Sequence, residues 1–206
     1  MEDILDLYCL AYDEDYPVIC MDEKPYQLLD DILTPIPIKQ GTVKKIDYEY
    51  ERKGTCSIFV FTEPLTGWHY ANARNRRTAI DFAHEIKKLL TVYYTKAKKI
   101  RLVVDNLNTH VPAALYNAFP ANEARELLKR IEFHYTPKHG SWLNIAEIGI
   151  SLLARQCIYR RIPNLDILNF ELTAWCDEYN KVRTPVNWQF TTDDARIKLR
   201  KLYPHV

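Results

Sequence analysis

The chain has 206 residues, 47% of them hydrophobic, so a single domain can bury a full core without disulfides or structural metals. Its apolar runs are only four or five residues long and its N-terminus is acidic, which excludes a membrane-spanning helix and a signal peptide. Five cysteines with no Cys-x-x-Cys pair and no zinc-site spacing indicate a reduced intracellular protein. The net charge is only +1, but its distribution along the chain is uneven.

Hydrophobic periodicity and turn residues predict the elements in chain order. A buried strand over Pro17–Met21 leads to a loop over 26–45, where prolines oppose a helix, and to a strand-rich hairpin within Ile46–Ala71. The later elements are a helix over Thr78–Tyr94, a strand over Ile100–Val104, a helical stretch over 112–130 interrupted near Pro120, a strand over Ile131–Tyr135, and helices over Leu143–Ile158, Leu165–Tyr179 and Thr192–Leu202. This order predicts one domain with a mixed α/β sheet and helices on both faces.

Two acidic residues, Asp22 and Asp105, each follow a short apolar run that predicts a strand buried on both faces. Ligands of α/β sheets bind outside the carboxyl ends of the strands, so neighbouring strands would bring the two carboxylates together. Carboxylates this close repel each other unless a cation lies between them, and Mg²⁺ is bound by one or two carboxylates together with phosphate oxygens. The alternative is that each aspartate is an ordinary turn residue at a strand end.

The helix predicted within 142–158 is apolar around most of its circumference, which predicts that most of it is buried. Its polar residues form one stripe, Asn144, Glu147, Ser151 and Arg155. Ile148 and its apolar neighbours are expected in the core, so Glu147 would point along the stripe. A glutamate on a largely buried helix needs a partner or a metal ion; the alternative is a stripe that faces water.

Positive charge is concentrated in the body of the chain. Residues 1–31 contain ten acidic residues and one lysine, whereas residues 32–206 contain 27 basic and 17 acidic residues, a net charge of +10. This split favours a polyanionic partner, and the alternative is a chance imbalance of solvated charge. The candidate DNA-binding residues are Arg74, Arg76 and Arg77 before a helix start, Lys138 and His139 in a loop, and Arg155. Solvated turns and ordinary loop histidines are the alternative for them.

Four segments of the chain resemble one known family. VICMDE, VVDNLNTH and HYTPKHGSWLNIAE resemble, in this order, the signature blocks of the DDE transposases of bacterial insertion sequences related to the Tc/mariner superfamily, and Val186–Tyr203 resembles their C-terminal block. The resemblance implies a ribonuclease-H-like fold, a five-stranded mixed sheet flanked by helices on both faces. It implies that Asp22 lies on the first strand, Asp105 at the end of the fourth, and Glu147 on the helix after the fifth.

The resemblance also implies the chemistry. Asp22, Asp105 and Glu147 would hold two Mg²⁺ ions, for which Mn²⁺ can substitute, with Asp22 bridging both. The expected reaction is hydrolysis of phosphodiester bonds at transposon ends, followed by attack of the freed 3′-hydroxyl on target DNA. Polar positions inside the blocks would orient a carboxylate or hold a phosphate. They are Asn106, His110 and Asn144.

Two departures from the family pattern bear on these expectations. The 41 residues between Asp105 and Glu147 are a longer spacing than is usual in relatives, which makes Glu132 an alternative third acid. A helix-turn-helix region of the kind that binds transposon ends does not precede Asp22, so residues 1–206 are expected to be a single catalytic domain.

The expected partners are DNA at the transposon ends and at the target, a separately encoded helix-turn-helix half, and further copies of the chain assembled on DNA. The expected location is the bacterial cytoplasm, at the nucleoid, with no membrane. Two alternatives stay open: a non-catalytic DNA-binding remnant of a transposase, and a hydrolysis-only nuclease with the same fold. The three acids argue against the remnant, because a decaying site loses an acid early.

Overall fold

The computed structural model describes residues 1–33, 36, 40–41, 48–138 and 140–203. At its centre is a five-stranded sheet with the strands β1 Val18–Asp31, β2 Tyr50–Glu63, β3 Trp68–Arg74, β4 Ile100–Val104 and β5 Ile131–Tyr135. In space the order is β3-β2-β1-β4-β5. The strands β1, β2 and β3 pair antiparallel, whereas β4 and β5 run parallel to β1, which confirms the predicted mixed sheet.

Helices pack on both faces of the sheet, as predicted. They are α1 Glu2–Tyr8, α2 Ala79–Lys88, α3 Ala113–Ala118, α4 Ala121–Lys129, α5 Ala146–Gln156, α6 Leu165–Val182 and α7 Thr192–Lys198. Residues of α2, α3 and α4 pack with Phe59 and Phe61 on one face, while α5 and α6 pack with Ile58 and Val60 on the other. Helices α1 and α7 cover β1 and β4 on that second face. Within the described ranges, none of the helices combines the length and apolar character that crossing a membrane requires.

The boundaries of the helices on the first face follow local sequence. The Thr78 side chain accepts a hydrogen bond from the Asp81 N–H, and the Asp81 carboxylate accepts one from the Thr78 N–H, which closes a capping box at the start of α2. A π-helical turn over Leu89–Tyr93 continues α2, so the helix predicted over Thr78–Tyr94 is confirmed. The predicted interruption at Pro120 separates α3 from α4.

Strand β1 is longer than the sequence predicts. It continues through Asp22 to Asp31, so the loop expected over 26–45 is wrong for residues 26–31, while residues 34–35, 37–39 and 42–47 lie outside the described residues. Parallel pairing with β4 ends at Cys20, but β2 pairs with the rest of β1. Beyond Cys20 one side of β1 is therefore an edge, where a proline such as Pro25 is tolerated.

Helix α6 covers the edge strand β3 with two asparagines. The Asn180 side chain accepts a hydrogen bond from the His69 N–H (2.8 Å) and donates one to the His69 carbonyl oxygen (2.7 Å). Asn169 makes the same pair of bonds with Ala73, at 2.7 and 3.1 Å. These bonds occupy backbone groups that an unprotected edge strand would offer to another chain.

The acidic N-terminal segment folds onto the basic body. This segment begins with the seven-residue helix α1, which the sequence analysis did not predict. The apolar side of α1 is buried against the sheet. Glu2 pairs with Arg196 of α7 at 2.8 Å, and Asp15 pairs with Lys98 at 2.6 Å. Part of the positive charge that the sequence assigns to a polyanionic partner is thus neutralised within the chain.

Candidate active site

Asp22 and Asp105 lie on neighbouring parallel strands at the carboxyl edge of the sheet. The pairing of β1 with β4 matches Cys20 with Val103, and the same register continued by two residues sets Asp22 opposite Asp105. Alternation along β1 directs the Asp22 carboxylate to the face of Cys20, where the start of α5 packs, while Asp105 lies just beyond the end of β4. Asp105 directly follows β4, as predicted. The prediction that Asp22 ends a strand is wrong, because β1 continues along β2.

The carboxyl group of Asp22 is affected by both other candidate acids. Burial raises the pKa of Asp22, the charges of Asp105, Glu147 and Glu23 add to the rise, and the pKa reached is about 6. A hydrogen bond from the Glu23 N–H to Asp22 Oδ1 (2.8 Å) opposes the rise. Glu147 is therefore near enough for its charge to act on Asp22 together with that of Asp105. Repulsion of this kind is relieved when a divalent cation binds between carboxylates.

Asn144 ties the start of α5 to β1. Its side-chain amide donates a hydrogen bond to the Met21 carbonyl oxygen (2.9 Å), directly beside Asp22. Its side-chain oxygen accepts a hydrogen bond from the Ala146 N–H (3.2 Å) at the first turn of α5. Asn144 thus supports the site through the backbone of the two elements that carry Asp22 and Glu147.

Gly149 allows α5 to lie very close to the sheet. A Cβ atom at this position would stand 2.5 Å from Thr62 Oγ1 and 3.1 Å from His69 Nδ1, on strands β2 and β3. Both neighbours are buried, and they are hydrogen-bonded to each other at 3.0 Å. The first turns of α5, which carry Glu147, are therefore positioned by the close packing of Gly149 on β2 and β3 and by the hydrogen bonds of Asn144.

The polar stripe predicted on this helix is not one continuous surface. Asn144 precedes α5 and is buried, whereas Glu147, Ser151 and Arg155 are exposed. Ile148 is 43% exposed, so the expectation that it packs in the core is wrong. Helix α5 buries only one face against the sheet, which leaves its outer face open. The buried residues of α5 are Ala146, Gly149 and Leu153.

His110 joins Asp105 to a second acid, Glu23. The Nδ1 atom of His110 donates to Asp105 Oδ1 (2.6 Å), and its Nε2 atom donates to Glu23 Oε1 (2.8 Å). Burial lowers the pKa of His110, but the two carboxylates outweigh burial and raise this pKa to about 9. For Asp105, burial acts in the opposite direction and raises the pKa. The hydrogen bond and the charge of His110 outweigh this effect and hold the pKa of Asp105 below its usual value.

Glu23 is a site residue that the sequence analysis missed. Alternation along β1 directs it to the same face as Ile19 and Met21, which belong to the main apolar core, and its side chain is only 2% exposed. A carboxylate at a core-facing position of a strand needs a partner, which is the signal that could have identified it.

Asn106 supports the loop that follows β4. Its side-chain amide donates a hydrogen bond to the Thr136 carbonyl oxygen. The Thr136 N–H in turn donates to the Val104 carbonyl oxygen (2.9 Å). Asn106 therefore links the ends of β4 and β5 immediately next to Asp105.

The three candidate arginines before α2 differ in their surroundings. Arg74 pairs with the fully buried Glu85 at 2.5 Å, so its guanidinium is used within the fold. Arg76 and Arg77 are exposed. The charge of Arg77 reaches Asp105 and, against the effect of burial, helps His110 to lower the pKa of that carboxyl. Arg77 is thus the arginine of this set whose charge acts on a candidate acid.

The other basic candidates lie on α5 and in the loop before it. Lys138 and Arg155 are exposed, and no ion pair in the described part of the chain engages either of them. His139 lies outside the described residues. His134, by contrast, is buried and pairs with Asp3 of α1 at 2.8 Å, which is a structural contact away from the acids.

The three acids have the donor chemistry of a divalent-cation site. Carboxylate oxygens suit Mg²⁺ and Mn²⁺, and Mg²⁺ needs only one or two carboxylates beside phosphate oxygens. Among residues 1–33, 36, 40–41, 48–138 and 140–203, no group of three or more His, Cys, Asp and Glu side chains is already drawn together as a metal cage. Asp22 on β1, Asp105 just after β4 and Glu147 on α5 therefore form no preformed cage in the described ranges, and the chemistry of their carboxylates suits a cation that phosphate oxygens also bind.

Glu132, the alternative third acid, lies away from the carboxyl edge. It is in register with Arg101 on β4, three residues before the end of β5 at Tyr135. At about 3.3 Å per residue, this places Glu132 roughly 10 Å from the edge. Its carboxylate lies 3.3 Å from His134 Nε2. The charge of Glu147, by contrast, contributes to the raised pKa of Asp22.

A sheet in the order β3-β2-β1-β4-β5 with helices on both faces is the architecture of a ribonuclease-H-like domain. The family model of the DDE superfamily endonucleases matches residues 17–169. The chain belongs to this family. None of the curated proteins matches the chain.

Solved structures with a similar fold include complexes of Mos1 transposase. The Mos1 mariner paired-end complex with Mn has a TM-score of 0.54 at 14% identity, over 87% of this chain and 54% of that chain, and it confirms the predicted fold. The Mos1 complex with the left transposon end (TM-score 0.44, 12% identity) and the Mos1 strand transfer complex (0.43, 13%) each cover 82% of this chain and 48% of theirs. The chain therefore spans about half the length of these transposase chains.

Proposed function

We propose that the chain is the catalytic domain of a DNA transposase. It hydrolyses phosphodiester bonds at transposon ends and then joins the freed 3′-hydroxyl groups to target DNA. The observation that carries the proposal is the convergence of Asp22, Asp105 and Glu147 at the carboxyl edge of the sheet in a member of the DDE superfamily endonucleases. The shared fold with Mos1, whose structure is a paired-end complex with Mn, supports the same reaction class.

The three acids form one metal site in this proposal. Asp22, Asp105 and Glu147 would together hold two Mg²⁺ ions, which Mn²⁺ could replace. When bound, the ions supply an activated water and neutralise charge on the leaving 3′-oxygen. The protein supplies geometry: β1 and β4 hold two carboxylates in register, and α5 brings the third across the sheet face.

We place the DNA backbone across α5 and the loop before α2. The exposed basic residues around the acids are suited to contact phosphates. They are Arg76, Arg77, Lys138 and Arg155. His139, which lies outside the described residues, stays a proposed phosphate contact on its sequence position alone. Arg74 is the weakest of the proposed contacts, because its guanidinium is paired with Glu85.

Recognition of the transposon-end sequence is assigned to a helix-turn-helix region outside residues 1–206, which form one catalytic domain in this proposal. Assembly with further copies on DNA and a nucleoid-associated location in a bacterial cytoplasm belong to the same proposal. Because phosphate contacts dominate such binding, the chain alone should bind DNA with little sequence discrimination and with a steep loss of affinity as salt rises.

Cleavage and joining of supercoiled DNA test the proposal. The wild-type protein with Mg²⁺ or Mn²⁺ should nick a plasmid that carries transposon ends, and excess EDTA should abolish nicking. Asp105→Asn and Glu147→Gln should each reduce nicking by more than about 100-fold, beyond the usual effect of outer-sphere residues, because a neutral amide is a poor Mg²⁺ ligand. Glu132→Gln is the matched control, since it makes the same change away from the carboxyl edge, and it should keep activity.

Three outcomes would contradict parts of the proposal. Full activity of Asp105→Asn, or nicking in excess EDTA, would reject the metal site. Nicking without strand-transfer products would identify a hydrolysis-only nuclease. Metal-independent DNA binding with neither product would identify a non-catalytic remnant.

A further inference from the structure

A buried glutamate stands directly beside the proposed catalytic acids, on the opposite face of the sheet. Glu23 follows Asp22 on β1, and its side chain enters the core formed with α2 and α3, where it is only 2% exposed. Its Oε2 atom is buried and makes no hydrogen bond within the described residues. For folding alone, an apolar side chain of similar volume would serve this position at least as well, because burying a carboxylate is costly.

The partner of Glu23 is a histidine that is fixed on every side. His110 has no exposed side-chain surface, and its ring packs on Phe82 with the ring centroids 4.9 Å apart. Its backbone N–H donates to the Leu107 carbonyl oxygen (2.9 Å), and its own carbonyl oxygen accepts from the Tyr135 hydroxyl (3.0 Å). The ring therefore cannot swing without breaking several contacts. The two ring nitrogen atoms contact carboxylates, Nδ1 that of Asp105 and Nε2 that of Glu23.

His110 also contacts Asp105, which lies just beyond the end of β4 and outside the backbone pairing of that strand. Its Oδ1 atom accepts hydrogen bonds from His110 Nδ1 (2.6 Å) and from the Leu107 N–H (3.2 Å). These two bonds fix the rotation of the carboxylate about its Cβ–Cγ bond. Both bonds are made by Oδ1, which leaves the Oδ2 atom for a ligand.

We propose that Glu23 and His110 are a pair of positioning residues, in which Glu23 anchors the His110 ring and His110 holds Asp105 in the orientation that a divalent cation requires. The proposal rests on the proposed function, because it takes Asp105 as a metal ligand. It assigns to Glu23 the role of an outer-sphere residue that acts through His110 and touches neither metal nor DNA. The contact chain is Glu23 Oε1 to His110 Nε2 (2.8 Å) and His110 Nδ1 to Asp105 Oδ1 (2.6 Å).

Mn²⁺ affinity of the full chain without DNA, measured by electron paramagnetic resonance titration, tests the pair independently of catalysis. His110→Ala and Glu23→Met should each weaken Mn²⁺ binding by about 10- to 100-fold, the range found when partners of metal ligands are removed. The glutamine side chain of Glu23→Gln has nearly the same volume as the methionine side chain of Glu23→Met, but its amide oxygen can still accept a hydrogen bond from His110 Nε2. Glu23→Gln should therefore retain most of the Mn²⁺ affinity. The comparison of Gln with Met isolates the hydrogen bond from packing.

Two further variants complete the design. The double variant Glu23→Met/His110→Ala should bind Mn²⁺ no more weakly than His110→Ala alone, since residues that act through one contact chain are not additive. His134→Ala is the matched control, because it removes another buried, carboxylate-paired histidine away from the acids, and it should leave Mn²⁺ affinity unchanged. Thermal melting of each variant identifies any that do not fold, and the Gln and Met pair still decides the question if the alanine variant unfolds.

The outcomes separate this proposal from the proposed function. If Glu23→Met binds Mn²⁺ as tightly as the wild type while Asp105→Asn loses binding, the positioning pair is rejected and the metal site stands. If Glu23→Gln and Glu23→Met lose affinity equally, the hydrogen bond to His110 is not the cause and the pair is again rejected. If Asp105→Asn keeps full Mn²⁺ affinity and nicking activity, the proposed function itself fails.

Discussion

Replacing Gly149 by alanine should separate the stability of α5 from the positioning of Glu147. The added Cβ atom would stand 2.5 Å from Thr62 Oγ1, whereas ordinary van der Waals contact begins at 3.4 Å, so the shortfall is 0.9 Å. Thr62 cannot move away easily, because it is fully buried and its hydroxyl is bonded to His69 Nδ1 at 3.0 Å. Helix α5 must therefore shift outward by a few tenths of an ångström to almost 0.9 Å.

The two energetic effects of this substitution have opposite signs. Alanine favours the helix by about 1 kcal/mol relative to glycine, and overpacking costs about 1–3 kcal/mol, so the expected net loss of stability is about 0–2 kcal/mol. Activity should suffer much more, because Glu147 lies two residues before Gly149 on the same helix and moves with it. A displacement approaching 1 Å costs about 100-fold in rate at a catalytic site.

Urea unfolding and plasmid nicking, measured on the same preparations, give the two readouts. Ser151→Ala is the control for helix propensity, since Ser151 is exposed on the same helix and the change should raise stability by only a few tenths of a kcal/mol. Adding Thr62→Ala to Gly149→Ala removes the clashing oxygen and should recover much of the nicking rate. It should also lower stability by about 1–3 kcal/mol, because His69 Nδ1 loses its partner. A Gly149→Ala protein with wild-type nicking would refute the view that this close approach positions Glu147.

Three further predictions concern stability and DNA binding. Burial lowers the pKa of His69 to about 4, so the folded state resists protonation of this side chain and loses stability as the pH falls from 6.5 towards 4. Urea unfolding should therefore show a loss of about 2 kcal/mol between pH 7 and pH 5. His69→Gln should abolish this part of the pH dependence. Asn180→Leu removes two hydrogen bonds to the edge strand and should cost about 1–3 kcal/mol, with increased self-association by light scattering; a monomeric variant of unchanged stability would contradict the edge-covering role. Arg77→Ala should weaken DNA binding and reduce its salt dependence at unchanged melting temperature. Arg74→Ala should destabilise the fold by about 1–3 kcal/mol, because the buried Glu85 loses its charged partner and keeps only the hydrogen bonds from Tyr70 and Asn72. Equal effects of the two variants on melting temperature would contradict this division.

Elements whose signals lie within a few residues were predictable from the sequence. The start of α2 follows from Thr78 and Asp81, β4 follows from a short apolar run, and β5 is a short strand candidate that Thr136 and Pro137 end. Helix α1 was missed because seven residues are too few for a stable helix by themselves, so its stability comes from packing against the sheet and from the pair of Glu2 with Arg196. The extension of β1 to Asp31 was missed for a similar reason, since its pairing partner is the distant strand β2.

The sequence by itself determined which acids stand at the ends of apolar segments, and hence the pair Asp22 and Asp105, because strand periodicity depends only on neighbouring residues. Only the tertiary structure shows that Glu132 lies in register with Arg101, away from the carboxyl edge, and that the charge of Glu147 acts on Asp22; both observations support Glu147 as the proposed third acid.

The tertiary structure also decided the partner of Glu23, since His110 is 87 residues away in the chain. Sequence patterns report which face of an element is apolar, but the partner of a buried charge is set by how distant segments pack, and local periodicity carries no information about that packing.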